Sequence, residues 1–317
     1  MKNNRVTYID RLKGLAIILV VIGHLLKTGE TGLLYQFIYS FHMPLFMFLS
    51  GLVIYELPKW HKLCFKLTNY LFPFFIVGSL YSLFIDTNIS IFFISAKKFG
   101  YWYLLVLGEF YLLLLIYGLF GQRNLKKDVV FALICYLSLF LACKYFPEDI
   151  VNGFSLNICY QNWPFFVLGF ISRSPFIHKY DAYKNIVYTI ALLMYVPFFL
   201  YWMHTGHAFV LQAYCAIIIL FSLFHEREGC NSFVERKLAI IGRKTLDIYI
   251  YHSFFTHIVN FRELNLYLEH GENLIPEFVI CLAFSLIIIA LSIGVGIIIR
   301  KSALLSIVIY GLKKKSV

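Results

Sequence analysis

A helix needs about 20 apolar residues to cross the hydrocarbon core of a bilayer, and this chain offers runs of roughly that length ten times over. They fall at approximately 12–29, 33–56, 63–85, 101–121, 129–146, 154–172, 186–203, 207–225, 238–261 and 275–299. No core of a water-soluble domain accommodates so many. The composition agrees: 60% of the 317 residues are hydrophobic and 14% are charged, with a mean hydropathy of +0.76, whereas a soluble domain carries roughly 25% charged residues. Aromatic residues reach 19%, as suits helices that touch lipid and end in interfacial rings. The expected fold class is all-α. The chain reads as a polytopic integral membrane protein of about ten transmembrane helices, forming a single transmembrane domain over residues 1–317. A further run at 303–312 is too short to span and is expected to lie along the interface. The first run lacks a small-residue cleavage site and passes into the multispan pattern, so it reads as a span and not as a cleaved leader.

Lysine and arginine orient these spans. Ten spans put both termini on one side, and that side collects Lys2, Arg5, Arg11, Lys13, Lys59, Lys62, Lys66, Arg123, Lys126, Lys127, Arg173, Lys179, Lys184, Arg227, Arg236, Lys237, Arg243, Lys244, Arg300, Lys301 and Lys313 to Lys315. These are 23 of the 28 basic residues, leaving Lys27, Lys97, Lys98, Lys144 and Arg262 opposite. The positive-inside rule then expects both termini in the cytoplasm. The opposite loops hold acids, Glu148, Asp149, Glu263, Glu269 and Glu272.

The net charge of +11 belongs to this membrane pattern. Basic residues cluster between apolar runs, where the anionic leaflet attracts them, and no basic stripe with interleaved aromatics marks a nucleic-acid face. Seven cysteines at 64, 135, 143, 159, 215, 230 and 281 show no paired spacing, so neither a disulfide framework nor a C-x-x-C site is expected. His24, His42, His252 and His257 lack an H-E-x-x-H pattern, so no metal is expected, and neither Gly-rich phosphate loop appears. A G-x-S-x-G elbow is also missing.

Ionisable groups at membrane depth are costly and mark function by default. The first span, "DRLKGLAIILVVIGH", places Lys13 and His24 eleven residues apart. At 100° per residue that is three turns plus 20°, so both point the same way, roughly 16 Å apart along the axis. Asp10 lies within about 40° of this face, and Arg11 points elsewhere. A cation reaching up to an imidazole fits a reaction site; a packed histidine with a snorkelling lysine fits the same spacing. In the second span, "YSFHMPLFMFLSGLVI", Pro44 is expected to kink the helix after His42, and Ser50-Gly51 to let another helix approach closely. Lys59, Lys62 and Lys66 cluster before and within the third span, as a lipid-facing patch or a phosphate holder. Glu109 lies about 12 Å into the fourth span. Asn157, Gln161 and Asn162 add polarity to the sixth, and Asp247 and His252 to the ninth. So many polar groups imply a shared interior.

Four segments carry a resemblance: "DRLKGLAIILVVIGH", "SFHMPLFMFLSG", "YWYLLVL" and "IGRKTLDIYIYHSFF". Together, and in this order from the first span to the ninth, they resemble the membrane acyltransferase-3 family, with its fucose-4-O-acetylase-like members most similar to the opening segment. The resemblance implies a ten-span enzyme, mostly bacterial, that moves acyl groups from acyl-CoA, usually acetyl-CoA, onto sugars of exported glycans. It implies His24 as catalytic base and Lys13 as part of the acyl-donor site. The family's basic pair before the third span falls near Lys62 and Lys66. Here the spacing is Lys-x-x-x-Lys in place of Arg-x-x-Arg, and Asn69 occupies the place of a second arginine.

Acyl transfer from a thioester to a hydroxyl needs a base of near-neutral pKa, which histidine supplies. The expected donor is acetyl-CoA, its phosphates held by Lys13, Lys62, Lys66, Arg243 and Lys244. The expected acceptor is a glycan or lipid-linked sugar, with His42, Trp102, Glu109, Asp247 and His252 on the substrate-binding side; Glu109 or Asp247 could instead orient the histidine. The expected location is the bacterial cytoplasmic membrane. A secondary transporter or flippase of a sugar or lipid-linked sugar is the rival reading, since it also buries polar groups near the midplane; no matching broken spans in two halves favour it. A membrane binding protein without chemistry gives no reason for the Lys13–His24 face.

Overall fold

The computed structural model describes residues 6–26, 32–54, 57, 59–172, 183–207, 209–227, 229, 232–259 and 274–311, with the backbone alone for residues 61–64. Lys2, Arg5, Lys27, Arg173, Lys179, Cys230, Arg262, Glu263, Glu269, Glu272 and Lys313 to Lys315 lie outside the described residues, as do the side chains of Lys62 and Cys64. Among the described residues every regular element is helical. In chain order they are α1 (Thr7–Leu25), α2 (Leu33–Tyr39), α3 (His42–Leu52), α4 (Trp60–Phe84), α5 (Ile89–Ile94), a single 3-10 turn (Lys98–Gly100), α6 (Trp102–Gly118) and α7 (Leu125–Tyr145). There follow α8 (Glu148–Gly153), α9 (Leu156–Ser172), α10 (Lys184–Thr205), α11 (Phe209–Glu226), α12 (Phe233–Gly242), α13 (Thr245–Ile258), α14 (Leu274–Lys301) and α15 (Ala303–Tyr310).

Six of these stretches are long and apolar enough to cross a membrane: Leu33–Leu52, Phe65–Phe84, Leu125–Tyr145, Lys184–Thr205, Phe209–Glu226 and Leu274–Lys301. The other four runs found in the sequence map to α1, α6, α9 and the α12–α13 pair. These helices are shorter or carry charge, and α1 shows why such a sequence is tolerated. Almost every residue of α1 is buried, Asp10 and Arg11 included, so it packs against protein and not lipid. By contrast only 11% of the apolar window of α7 is buried.

Contacts divide the chain into two compact units, one of residues 1–49 and 178–293, the other of 50–177 and 294–317. In the first unit α1 packs on α12, α13, α11 and α2, and α10 pairs with α11. Two glycines set the α1–α12 contact. A Cβ on Gly14 would lie 2.1 Å from the Leu238 carbonyl oxygen, and one on Gly242 would lie 1.7 Å from that of Asp10. Arg11, turned off the Lys13 face, donates to the Arg227 carbonyl at 2.7 Å and lies 3.7 Å from Glu235. Glu235 in turn closes a capping box with Ser232 at the start of α12.

Two predicted spans are interrupted. The second breaks at Ser40-Phe41, between α2 and α3, ahead of the expected kink. Pro44 then stands in the first turn of α3, where its missing N–H has no intrahelical partner to lose. The ninth breaks at Arg243-Lys244, directly after the Gly242 approach.

In the second unit α4 packs on α6, α5 and α15, and α9 packs on α6, α7 and α8. The close approach expected at Ser50-Gly51 is present. A Cβ on Gly51 would lie 2.0 Å from the Phe166 carbonyl oxygen, and the Ser50 and Tyr103 hydroxyls are 2.7 Å apart. Arg123 fixes the start of α7 by bonding Asp128 at 2.8 Å and the Phe170 carbonyl at 3.1 Å. The run at 303–312 forms α15, whose C-cap Gly311 meets Thr68 of α4. Cys135, Cys143, Cys159, Cys215 and Cys281 are free thiols.

Candidate active site

The first unit gathers two groups of predicted residues at opposite ends of α1. At its C-terminal end the rings of His24 and His252 lie with centroids 5.0 Å apart. His252 projects from the middle of α13 and is 2% exposed. Its Nδ1 sits 3.0 Å from the Ile248 carbonyl and 2.8 Å from that of Tyr249. A carbonyl oxygen only accepts, so Nδ1 carries the ring proton and Nε2 bears the lone pair. That Nε2 is buried and has no hydrogen-bond partner among the described residues. The two rings are tilted by 51° to one another, in ring-to-ring contact.

His42 joins the same end. It opens α3, is 4% exposed, and donates from Nδ1 to the Ile38 carbonyl at 2.8 Å, so it shares the tautomer of His252. The Tyr39 ring packs edge-on to it at 4.7 Å and lies against Gly23, where a Cβ would be 3.0 Å from the ring. Tyr39 thus connects His42 to the turn of α1 that bears His24.

At the N-terminal end of α1 the Gly242 approach brings the backbone of residues 242–244 beside Asp10 and Gly14; a Cβ on Gly242 would lie 2.9 Å from the Gly14 nitrogen. Lys13, Arg243 and Lys244 therefore stand on adjoining stretches of chain, Arg243 exposed and the two lysines half-buried. The buried Asp247 lies in the first turn of α13, where a carboxylate is favoured by the helix dipole. The helices α1 and α13 run the same way, each with cationic residues at its start and a histidine further along.

The other predicted residues belong to the second unit. Lys66 on α4 donates to the Tyr111 hydroxyl at 3.0 Å, and Tyr111 stacks on Tyr70 at 5.8 Å. Asn69, one turn on from Lys66, keeps a buried carbonyl oxygen without a partner among the described residues. Trp102 opens α6 and packs on Tyr103. Glu109 accepts from the Cys159 thiol through one oxygen, and its other oxygen is buried without a partner among the described residues.

Sequence reasoning passed over several groups. Lys98, assigned to an outer loop, is fully buried and donates to the carbonyls of Phe93 and of Asn152, the latter at 3.1 Å. Burial pulls its ammonium down to about 8. Its backbone and that of Phe99 are left-handed, at φ +46° and +49°. Ser40, Gln212 and Tyr195 form a polar cluster inside the first unit. Neither signal is periodic: Lys98 is held by backbone carbonyls 5 and 54 residues away, which no side-chain pattern announces, and Ser40 and Gln212 meet across 172 residues.

With helices as the regular elements among the described residues and several of them apolar and of lipid-crossing length, the chain is a multi-pass membrane protein. Residues 6–294 match a family model described as an acyltransferase domain, that of acyltransferase-3. The chain belongs to the acyltransferase-3 family, and is an acyltransferase of the membrane. No curated protein and no solved structure gives a significant match to it.

Proposed function

We propose that the protein is an O-acyltransferase that moves an acyl group, acetyl in the first instance, from cytoplasmic acyl-CoA to a sugar hydroxyl of a glycan or lipid-linked sugar. The observation that carries this reading is the polarity of α1, with His24 beside His252 at one end and Lys13 beside the Arg243-Lys244 stretch at the other. Lys13 and His24 are separated by roughly 16 Å along the helix, which suits a donor bound by its phosphates at one end and reacting at the other. The positive-inside distribution puts the cationic end towards the cytoplasm, where acyl-CoA is made. Lys62 and Lys66 on α4 are further candidates for the donor phosphates, and His42, Trp102, Glu109 and Asp247 for the acceptor. A bacterial cytoplasmic membrane is the location this chemistry fits.

The chemistry needs no resident cofactor. His24 takes the proton of the acceptor hydroxyl as its oxygen attacks the thioester carbonyl carbon. The carbon–sulfur bond breaks, and the departing CoA sulfur takes that proton from His24, which returns to its starting state. His252, with its lone pair on Nε2, accepts the other ring N–H of His24, fixing the tautomer and supporting the imidazolium. A base with this help contributes typically 10²–10⁴-fold.

The test is glycan mass spectrometry in cells carrying wild-type or variant chain at matched membrane levels. His24→Ala is expected to abolish the acyl mass increment, and near-normal acylation overturns the assignment. Lys13→Ala is expected to raise the acyl-CoA concentration needed for half-maximal rate; an unchanged donor dependence removes Lys13 from the donor site.

A further inference from the structure

The helix that Gly242 seats on α1 turns a second face away from the protein. With ten residues, α12 is about 15 Å long, half the roughly 30 Å of the hydrocarbon core. It also carries Glu235, Arg236 and Lys237 in its first turns, so it does not itself cross. Glu235, Ala239 and Gly242 are its buried residues, and the acid is engaged by the Ser232 N–H and by Arg11. By helical pitch Phe233, Lys237 and Ile240 lie on the opposite side, and all three are exposed. Arg236 and Arg243, seven residues apart, fall about 20° from one another on the flank, and both are exposed as well.

This outer face mixes apolar surface with cations. Phe233, Val234 and Ile240 are 67%, 64% and 46% exposed, and Lys237 holds its ammonium over the Phe233 ring, 5.2 Å from the centroid. No ion pair engages Arg236 or Lys237 among the described residues. A lysine stem laid along apolar surface with its charge at the edge suits the level where hydrocarbon gives way to headgroups. Water alone leaves the three apolar side chains unburied, and hydrocarbon alone leaves the cations without partners. The boundary between the two accommodates both. Charge then selects the occupant. With Arg243 and Lys244 the stretch holds four cations against one buried acid. A second copy docked by the same face would set like charge against like, whereas an anionic surface complements it.

We propose that α12 lies in the headgroup layer of the cytoplasmic leaflet and binds an anionic phospholipid there through Arg236 and Lys237, with Phe233, Val234 and Ile240 entering the acyl-chain boundary. The lipid phosphate accepts from the guanidinium and the ammonium. The positive-inside distribution puts this helix at the inner surface, where anionic lipids attract basic segments. Protein and lipid then hold α12 between them: the Gly242 contact with α1 fixes one side, and the headgroup the other. The apolar run that the sequence counts as a ninth span, 238–261, thus opens as an in-plane segment and enters the bilayer after the break at Arg243-Lys244. Neither Arg236 nor Lys237 takes part in the reaction above, so this inference stands independently of it.

The test uses the full chain in nanodiscs, with its native cysteines replaced by serine and a bimane fluorophore attached through Ile240→Cys, one turn from both cations. Quenching by brominated phosphatidylglycerol and by brominated phosphatidylcholine is compared at equal mole fraction. Two cations at the surface are expected to favour phosphatidylglycerol about thirty-fold. Arg236→Gln/Lys237→Gln is expected to remove that preference. Arg236→Gln alone is expected to lower it about five-fold, and serves if the double variant fails to fold. Raised salt is expected to weaken the preference. Equal quenching by the two lipids overturns the proposal, as does quenching by neither, since the face then meets water or protein. A preference that the double variant keeps belongs to other cations and overturns it too. The double variant is also expected to leave the acyl-CoA concentration for half-maximal rate unchanged. A rise in that concentration, or a quenching preference abolished by free CoA, makes the face part of the donor site, and the lipid assignment falls.

Discussion

At Gly242 one missing methyl group decides whether α1 and α12 can meet. A Cβ there would lie 1.7 Å from a backbone oxygen of Asp10. Alanine gains about 1 kcal/mol over glycine in helix propensity, but overpacking costs roughly 1–3 kcal/mol even where side chains can yield, and here the obstacle is backbone. Gly242→Ala is therefore expected to lower the detergent melting temperature and the folded yield. Gly294→Ala in α14, with nothing within 4 Å of its added Cβ, is expected to be neutral or slightly stabilising. Equal melting of the two variants refutes the account. The Lys13–His24 face was legible from spacing because both residues share one helix. The approach of His252 was not, since 228 positions separate it from His24 and helical periodicity carries no information across that gap.

Among the elements, α12 is short and its start depends on charge. The Ser232 backbone N–H bonded to Glu235 holds that carboxyl below the usual glutamate range, with help from the Ser232 side chain and from Arg11 and Arg227. A carboxyl depressed by folding stabilises above its unfolded value of about 4.3 and loses that contribution as pH falls through the folded value. Melting temperatures taken between pH 7 and pH 4 are thus expected to fall further for wild type than for Glu235→Gln; parallel curves remove Glu235 from the acid response. Elements also show where a sequence reading stops short. The run at 33–56 is one apolar stretch by composition, yet the chain turns at Ser40-Phe41. Pro44 announced an irregularity, but the break falls before it, where Ser40 meets Gln212 from another helix.

For the whole molecule, orientation follows from charge and has a direct test. With the native cysteines replaced by serine, single cysteines are introduced at Asn124 and Ser302 on one expected side and at Asp149 and Thr205 on the other. A membrane-impermeant maleimide added to intact cells is expected to label positions 149 and 205 and to spare 124 and 302; the reverse pattern inverts the topology and removes the cytoplasmic route to Lys13. The all-helical membrane class and most helix positions were fixed by the sequence alone, because in hydrocarbon every backbone group must be satisfied within the segment, and an apolar run of sufficient length has no other solution. The same holds for the reading of Lys13 and His24 as one face, which follows from helical pitch. The tertiary structure decided which helices are wrapped in protein, where two apolar runs break, and which distant side chains stand beside His24 and Ser40. Those outcomes rest on steric fit and on hydrogen bonds between residues far apart in the chain, and neither leaves a mark in local composition or period.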